Sequence, residues 1–375
     1  MKNNPLLKLR ELGQGMWLDF LSRDLLDSGD IVRLIREDGL SGITSNPAIF
    51  QKAIGATSTY DAEIKRLARS GLSTSDIYDN LVVHDIQLAA DFLRPLFDRL
   101  DGKDGFVSLE VSPLLAHDTV ATLGEARRLW KLVERPNVFI KVPGTWEGLS
   151  AFRELVSEGI NINVTLLFGV PRYRAFAEAY LDALEVLVSQ NRPIARVASV
   201  ASFFLSRIDV LVDGMLDKMT ASGGPDHEKA AALRGEVAIA SAKLARAVYQ
   251  EIIGSERYRN LVAHGARPQR LLWASTGRKN PAYSDLKYVE PLIGSETVNT
   301  MPLDTITAYR DHGNPEARLD DGTDEARQTL DRLAEIGIDL NKVAQQLEDE
   351  GIQKFVEPFN QLLETIDRKR VAALG

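Results

Sequence analysis

The stretch Asn137–Gly148, NVFIKVPGTWEG, decides how the chain is read. In a strand, alternate side chains face opposite ways. Val138, Ile140 and Val142 therefore share one face, and Phe139 and Lys141 share the other. One ammonium lies in a run otherwise suited to burial. Burying a lysine costs free energy unless it is paired or neutralised, so Lys141 needs a partner or a task.

Other short apolar segments carry the same pattern. Val107, Leu109 and Val111 oppose Ser108 and Glu110. Ile160, Ile162, Val164 and Leu166 oppose Asn161, Asn163 and Thr165. Met16, Leu18 and Phe20 oppose Trp17 and Asp19. Strands are expected at Gly15–Phe20, Gly39–Ser45, Gly105–Val111, Asn137–Val142, Ile160–Leu166, Ala195–Ser202, Arg270–Ser275 and Glu296–Met301. Helical patterns separate most of them, including Ile77–Leu100, Asp118–Glu134, Pro171–Gln190 and Glu228–Ile253. Such alternation implies parallel strands covered by helices. Eight units in 375 residues fit a (β/α)₈ barrel. A doubly wound open sheet is the structural alternative, although no GxGxxG or GxxxxGK[ST] loop follows an early strand.

The segment Asp217–Lys229 reads as a loop on its turn residues. Asp311–Asp324 reads as a polar linker into a C-terminal helical region at about 325–373. The whole chain, 1–375, is expected to form one α/β barrel domain with these additional helices.

Composition narrows the function. Charged residues make up 26% and the net charge is −8, which argues against nonspecific nucleic-acid binding. There are no cysteines, so disulfides, thiol nucleophiles and cysteine zinc sites are excluded. No apolar run approaches the ~20 residues of a membrane span. The opening MKNNPLLKLRELGQG lacks a signal-peptide core. A cytoplasmic protein is expected. The histidines at 84, 117, 227, 264 and 312 show no metal-ligand spacing.

Barrel active sites sit at the C-terminal ends of the strands. Parity then directs Asp19, Asn46, Glu110, Lys141, Asn163, Thr165, Ser202 and Ser275 toward one cavity. A desolvated lysine can attack a carbonyl, and the resulting Schiff base stabilises the carbanion of a broken C–C bond. Carboxylates must move the protons, and Asp19 and Glu110 share the face of Lys141. The competing reading is a buried Lys–Glu ion pair without chemistry.

The chain resembles the transaldolase family, in its longer bacterial form. The resemblance rests on WLDF with Asp19, GITSNPAIF with Asn46, VSLEVSP with Glu110 and NVFIKVPGTWEG with Lys141. It continues through INVTLLF with Asn163 and Thr165, VASFFLSRID with Ser202 and Arg207, and LLWASTGRKNPAYSD with Ser275. It implies a lysine Schiff base that transfers a dihydroxyacetone unit. The donor is a ketose phosphate, sedoheptulose 7-phosphate or fructose 6-phosphate. The acceptor is an aldose phosphate, glyceraldehyde 3-phosphate or erythrose 4-phosphate, as in the non-oxidative pentose phosphate pathway. Lys141 would attack C2, Asp19 would move the C4 hydroxyl proton, and Glu110 and Thr165 would position water. Asn46 and Asn163 would hold the dihydroxyacetone hydroxyls. Arg207, Ser202 and Ser275 would meet phosphate, with Lys279 preferred over Arg278 as a further cation and Phe204 at the wall. No metal or organic cofactor is implied, and sugar phosphates are the only implied partners. Two alternatives stay open at this point. One is a Schiff-base fructose-6-phosphate aldolase releasing dihydroxyacetone; the other is a noncatalytic sugar-phosphate-binding barrel.

Overall fold

The computed structural model describes residues 4–374, so the ends of the 1–375 span lie outside the described residues. Eight parallel strands close into a barrel in chain order. They are β1 (Gln14–Leu18), β2 (Leu40–Thr44), β3 (Phe106–Glu110), β4 (Val138–Pro143), β5 (Ile162–Leu167), β6 (Ser199–Phe204), β7 (Arg270–Ala274) and β8 (Thr297–Met301). β1 pairs with β8, which removes the sheet edges and excludes the open-sheet alternative.

The alternation read from sequence sets the layers. Val138, Ile140 and Val142 are fully buried facing outward under the helices. Inward, Phe106 and Phe139 stack at 4.3 Å, and Trp17 stacks on Phe139 at 6.1 Å. These rings fill the lower barrel. Above them the inward residues turn polar. Asn163 Nδ2 donates to Ser108 Oγ at 3.0 Å, and Ser202 Oγ donates to Asn163 Oδ1 at 2.7 Å. The pairing register then places Lys141 between Glu110 and Asn163. An apolar floor and a satisfied polar layer thus hold the lysine strand at a fixed height.

Trp17 fits only because β2 carries a glycine beside it. A Cβ on Gly42 would lie 2.3 Å from the indole, whose Nε1 donates to buried Asp104 at 2.9 Å. The ring cannot yield without losing that bond. We expect Gly42→Ala to cost about 2–3 kcal/mol by overpacking, measured by chemical denaturation.

Three sequence expectations need correction. The strand expected from Ala195 begins at Ser199. Asp217–Lys229 is a loop only in its middle: the helix Ser206–Ala221 runs through Asp217, the chain turns over residues 222–226, and the helix His227–Leu233 takes in Lys229. Met219 packs that last turn against the core, which local turn chemistry does not reveal. Glu228–Ile253 is two helices, His227–Leu233 and Val237–Ile253, broken at Gly235 with φ +78°. The second helix is capped from outside, since Asp209 accepts the Ala238 N–H at 2.8 Å and Asp213 accepts the Gly235 N–H at 2.8 Å.

The C-terminal region forms the helices Thr323–Glu335 and Leu340–Leu374. The long one lies against the helices Pro47–Gly55, Asp61–Arg69 and Thr74–Arg99. Arg172 holds it near its start through Glu348 at 2.7 Å. Near its end, Lys369 donates to Asp61 at 2.6 Å and to the Thr57 carbonyl at 3.2 Å. Its middle reaches the barrel mouth with Phe355.

Candidate active site

A pocket of ≈ 170 Å³ opens at the C-terminal ends of the strands. Of the residues expected there, Asp19, Asn46, Lys141, Thr165, Ser202, Phe204, Arg207, Ser275 and Lys279 line it. Asn163 does not: it lies one layer below, fully buried, with both amide ends already bonded. Glu110 is not on this wall either; it stands behind Lys141 and faces a second cavity.

Lys141 is 4% exposed and its Nζ is 3.0 Å from the Ser45 carbonyl and 3.3 Å from Glu110 Oε2. Both carboxyls around it hold their protons more tightly than ordinary carboxyls. Burial raises the pKa of Asp19, opposed chiefly by the Lys141 charge and by the Thr44 hydroxyl. Burial also raises that of Glu110, again opposed chiefly by Lys141. Two groups poised in this way beside an amine suit proton transfer.

Thr44 Oγ1 donates to Asp19 Oδ1 at 2.8 Å and lies 2.7 Å from Thr300 Oγ1. The threonine pair fixes the carboxylate's rotamer. Sequence reasoning passed over both, although each sits on an inward position of β2 and β8. Asn46 caps the helix Pro47–Gly55 by accepting the Ile49 N–H at 3.0 Å, which leaves its amide N–H groups for the pocket. β5 changes register after Val164, with Leu166 at φ 62°. Irregularities of this kind re-aim side chains near sites. Beside it, Thr165 Oγ1 is buried in the pocket wall without a hydrogen-bond partner.

Part of the pocket wall is cationic. Arg207 lies 5.4 Å from the Phe204 ring centre and 5.8 Å from that of Phe355. Its Nη1 is buried without a hydrogen-bond partner, and burial lowers its pKa. A guanidinium held between aromatic faces with a free N–H is prepared for an anion. Ser275, at φ 55°, bonds Ser206 at 2.8 Å and so joins the end of β7 to the start of the Arg207 helix. Both Arg278 and Lys279 are exposed, but only Lys279 lines the pocket, while Arg278 reaches the Tyr283 carbonyl at 3.4 Å. Tyr283 donates to Asp213 at 2.6 Å and Tyr288 to Asp209 at 2.9 Å. Those bonds tie the Lys279 segment to the helix that carries Arg207.

Phe355 is the residue that sequence gave no means to find. It closes the pocket from a helix distant in the chain, and its own segment reads as ordinary amphipathic helix. Among the described residues, no group of His, Asp or Glu side chains is arranged to hold a metal ion.

The arrangement offers a buried amine, a carboxyl and an anion-binding wall in one pocket, with a second carboxyl, Glu110, in contact with the amine from behind. Comparison with known proteins identifies the family. The sequence profile of the Transaldolase/Fructose-6-phosphate aldolase family matches residues 16–366. A protein named Transaldolase 2 from a Nostoc species is 48% identical over 374 residues, 98% of each chain. The transaldolase of Thiobacillus denitrificans is 48% identical over 355 residues, 95% of this chain and 97% of its own. That of Thermobifida fusca is 45% identical over 370 residues, 98% of this chain and 99% of its own. By the profile match and these identities, the chain belongs to the Transaldolase/Fructose-6-phosphate aldolase family.

Proposed function

We propose that the chain transfers a dihydroxyacetone unit from a ketose phosphate to an aldose phosphate through a Schiff base on Lys141. The observation that carries this reading is Lys141 Nζ, 3.3 Å from Glu110, lining the same pocket as the unpaired Arg207 N–H. An amine for the ketone and a cation for the phosphate line one cavity.

The steps follow from the groups present. The Lys141 amine adds to C2 of the ketose through its lone pair, giving a carbinolamine. Glu110 protonates the departing hydroxyl, and water leaves as the iminium forms. Asp19, as carboxylate, takes the C4 hydroxyl proton. The C3–C4 bond breaks, its electrons pass into the iminium, and an aldose phosphate departs as the aldehyde. The enamine left on Lys141 then attacks the acceptor aldehyde, and Asp19 returns the proton to the new hydroxyl. Hydrolysis frees the product. Thr165 supplies the unpartnered hydroxyl near the water's position, and Asn46 offers amide donors to the sugar hydroxyls. Asn163, bonded to Ser108 and Ser202, acts by holding the layer beneath Lys141.

Borohydride reduction with fructose 6-phosphate, followed by mass mapping, tests the covalent site. A three-carbon adduct on Lys141 is expected, and an adduct elsewhere overturns the assignment. Transfer is favoured over release because the similar proteins named above are transaldolases. Assays with and without acceptor aldehyde separate the two outcomes.

Arg207 gives a second test. Arg207→Leu removes a charge-assisted contact worth roughly 3 kcal/mol, so KM for fructose 6-phosphate should rise about a hundredfold. Turnover of unphosphorylated fructose should stay unchanged; an equal loss on both substrates would deny Arg207 the phosphate.

The apolar core runs continuously from the barrel into the C-terminal helix, which supports a single domain for the whole chain. Charged sugar phosphates do not cross membranes freely, and this supports a cytoplasmic enzyme.

A further inference from the structure

Glu110 stands on the wall of a different cavity from its partner Lys141. Lys141 lines the substrate pocket, whereas Glu110 lines a space of ≈ 150 Å³ between the helices Thr74–Arg99, Thr119–Val133 and Leu340–Leu374. The Glu110–Lys141 contact at 3.3 Å is the bridge between the two. The C-terminal helix forms part of both walls. Phe355 faces the substrate pocket and Phe359, one turn on, faces the second cavity.

The second cavity suits water. Tyr78, Asp79, Glu110 and Ser112 put polar side chains on its wall. A water needs on the order of 10–15 Å³ of such space and two to four polar partners, so there is room for several. At the rim Arg128 joins Asp79 at 2.6 Å and Glu125 at 2.8 Å. The Arg128 side chain is 44% exposed, which places this ion pair at the solvent boundary.

The chemistry calls for such a space. Forming the iminium expels one water at C2, and hydrolysis consumes one. In the first step the carbinolamine C–O bond breaks, the nitrogen lone pair makes C=N⁺, and the leaving hydroxide takes the Glu110 proton to become water. The reverse step returns that proton to the carboxylate. Both occur while a sugar phosphate occupies the substrate pocket and obstructs its mouth.

We propose that the cavity behind Glu110 is a water port, separate from the substrate mouth, through which water reaches and leaves the Lys141 imine. The inference rests on the Schiff-base reading above. It makes the port, rather than the substrate pocket, the control on hydrolysis of the covalent intermediate.

Ser112→Phe places a ring in the cavity, and Ser75→Trp obstructs the rim from an exposed position that leaves the interior untouched. Arg128→Ala opens the rim. The readouts are exchange of ¹⁸O from labelled water into the C2 carbonyl of fructose 6-phosphate, and dihydroxyacetone release relative to transfer. Either plug should slow exchange about tenfold with KM unchanged, while Arg128→Ala raises the release-to-transfer ratio. A merely structural defect would lower release and transfer together. Wild-type exchange rates in both plugged variants, folded and with normal KM, would overturn the port. Absence of a borohydride adduct on wild-type Lys141 would instead overturn the underlying reaction.

Discussion

Lys141→Arg is expected to abolish the three-carbon adduct and to lower transfer by about 10⁴-fold or more, as loss of a covalent nucleophile does. The substitution keeps a cation beside Glu110, so the buried carboxylate is not left without an opposite charge. A guanidinium stays protonated and cannot attack a ketone. Charge and nucleophilicity are thereby separated in one variant. A noncatalytic barrel that used Lys141 only to pair Glu110, 3.3 Å away, would tolerate the change. Lys141→Met is the complement. It removes the cation as well, and Glu110, already raised by burial, should then stay protonated to still higher pH. Both variants should be inactive, and only the second should show a changed pH dependence of stability. Retention of more than about a hundredth of wild-type turnover by Lys141→Arg would exclude the covalent route.

The barrel was legible because strand parity is a short-range property. Alternation over five or six residues distinguishes the helix-facing Val138, Ile140 and Val142 from inward Phe139 and Lys141, and the structure keeps that division. Closure was not legible in the same way, since a doubly wound open sheet also has helix-covered strands; the pairing of β1 with β8 decides it. Parity gave direction but not height. Asn163 and Lys141 share a face and are register partners, yet Asn163 is sealed beneath the pocket floor. Nor did it give lateral aim: Glu110 faces inward beside Lys141 and still opens onto another cavity. Thr44 and Thr300 carried the right parity and were overlooked because threonine is ordinary in strands. Phe355 carried no signal, since its contact with Arg207 depends on how the final helix is docked. The break at Gly235 was hidden for a related reason. Its caps are Asp209 and Asp213, carboxylates on another helix.

Asp19→Asn should lower transfer by about 10²–10⁴-fold and yet leave imine formation intact, since the lost group is a general base. The trapped species then changes. Borohydride should fix the whole ketose phosphate on Lys141, because the C3–C4 bond no longer breaks, in place of the three-carbon unit. A variant that traps nothing would move Asp19 into the imine-forming step. The same carboxyl shapes the pH profile. Asp19 must be ionised to accept the C4 proton, and burial raises its pKa above the usual carboxylate range. Transfer should therefore fall on the acid side at a higher pH than an ordinary aspartate, about 3.9, would give. Stability follows with the opposite sign. Between the unfolded and folded titrations of Asp19 the folded state binds more protons, so stability decreases as pH rises through that window. Above that window the native protein carries the full cost of this buried charge. Asparagine removes the charge and keeps an oxygen for the Thr44 hydroxyl now 2.8 Å from Asp19. Asp19→Asn should accordingly raise the thermal midpoint at pH 7 and lose that advantage as the pH falls. A lower midpoint at pH 7 would mean that the attraction between Asp19 and Lys141 outweighs burial.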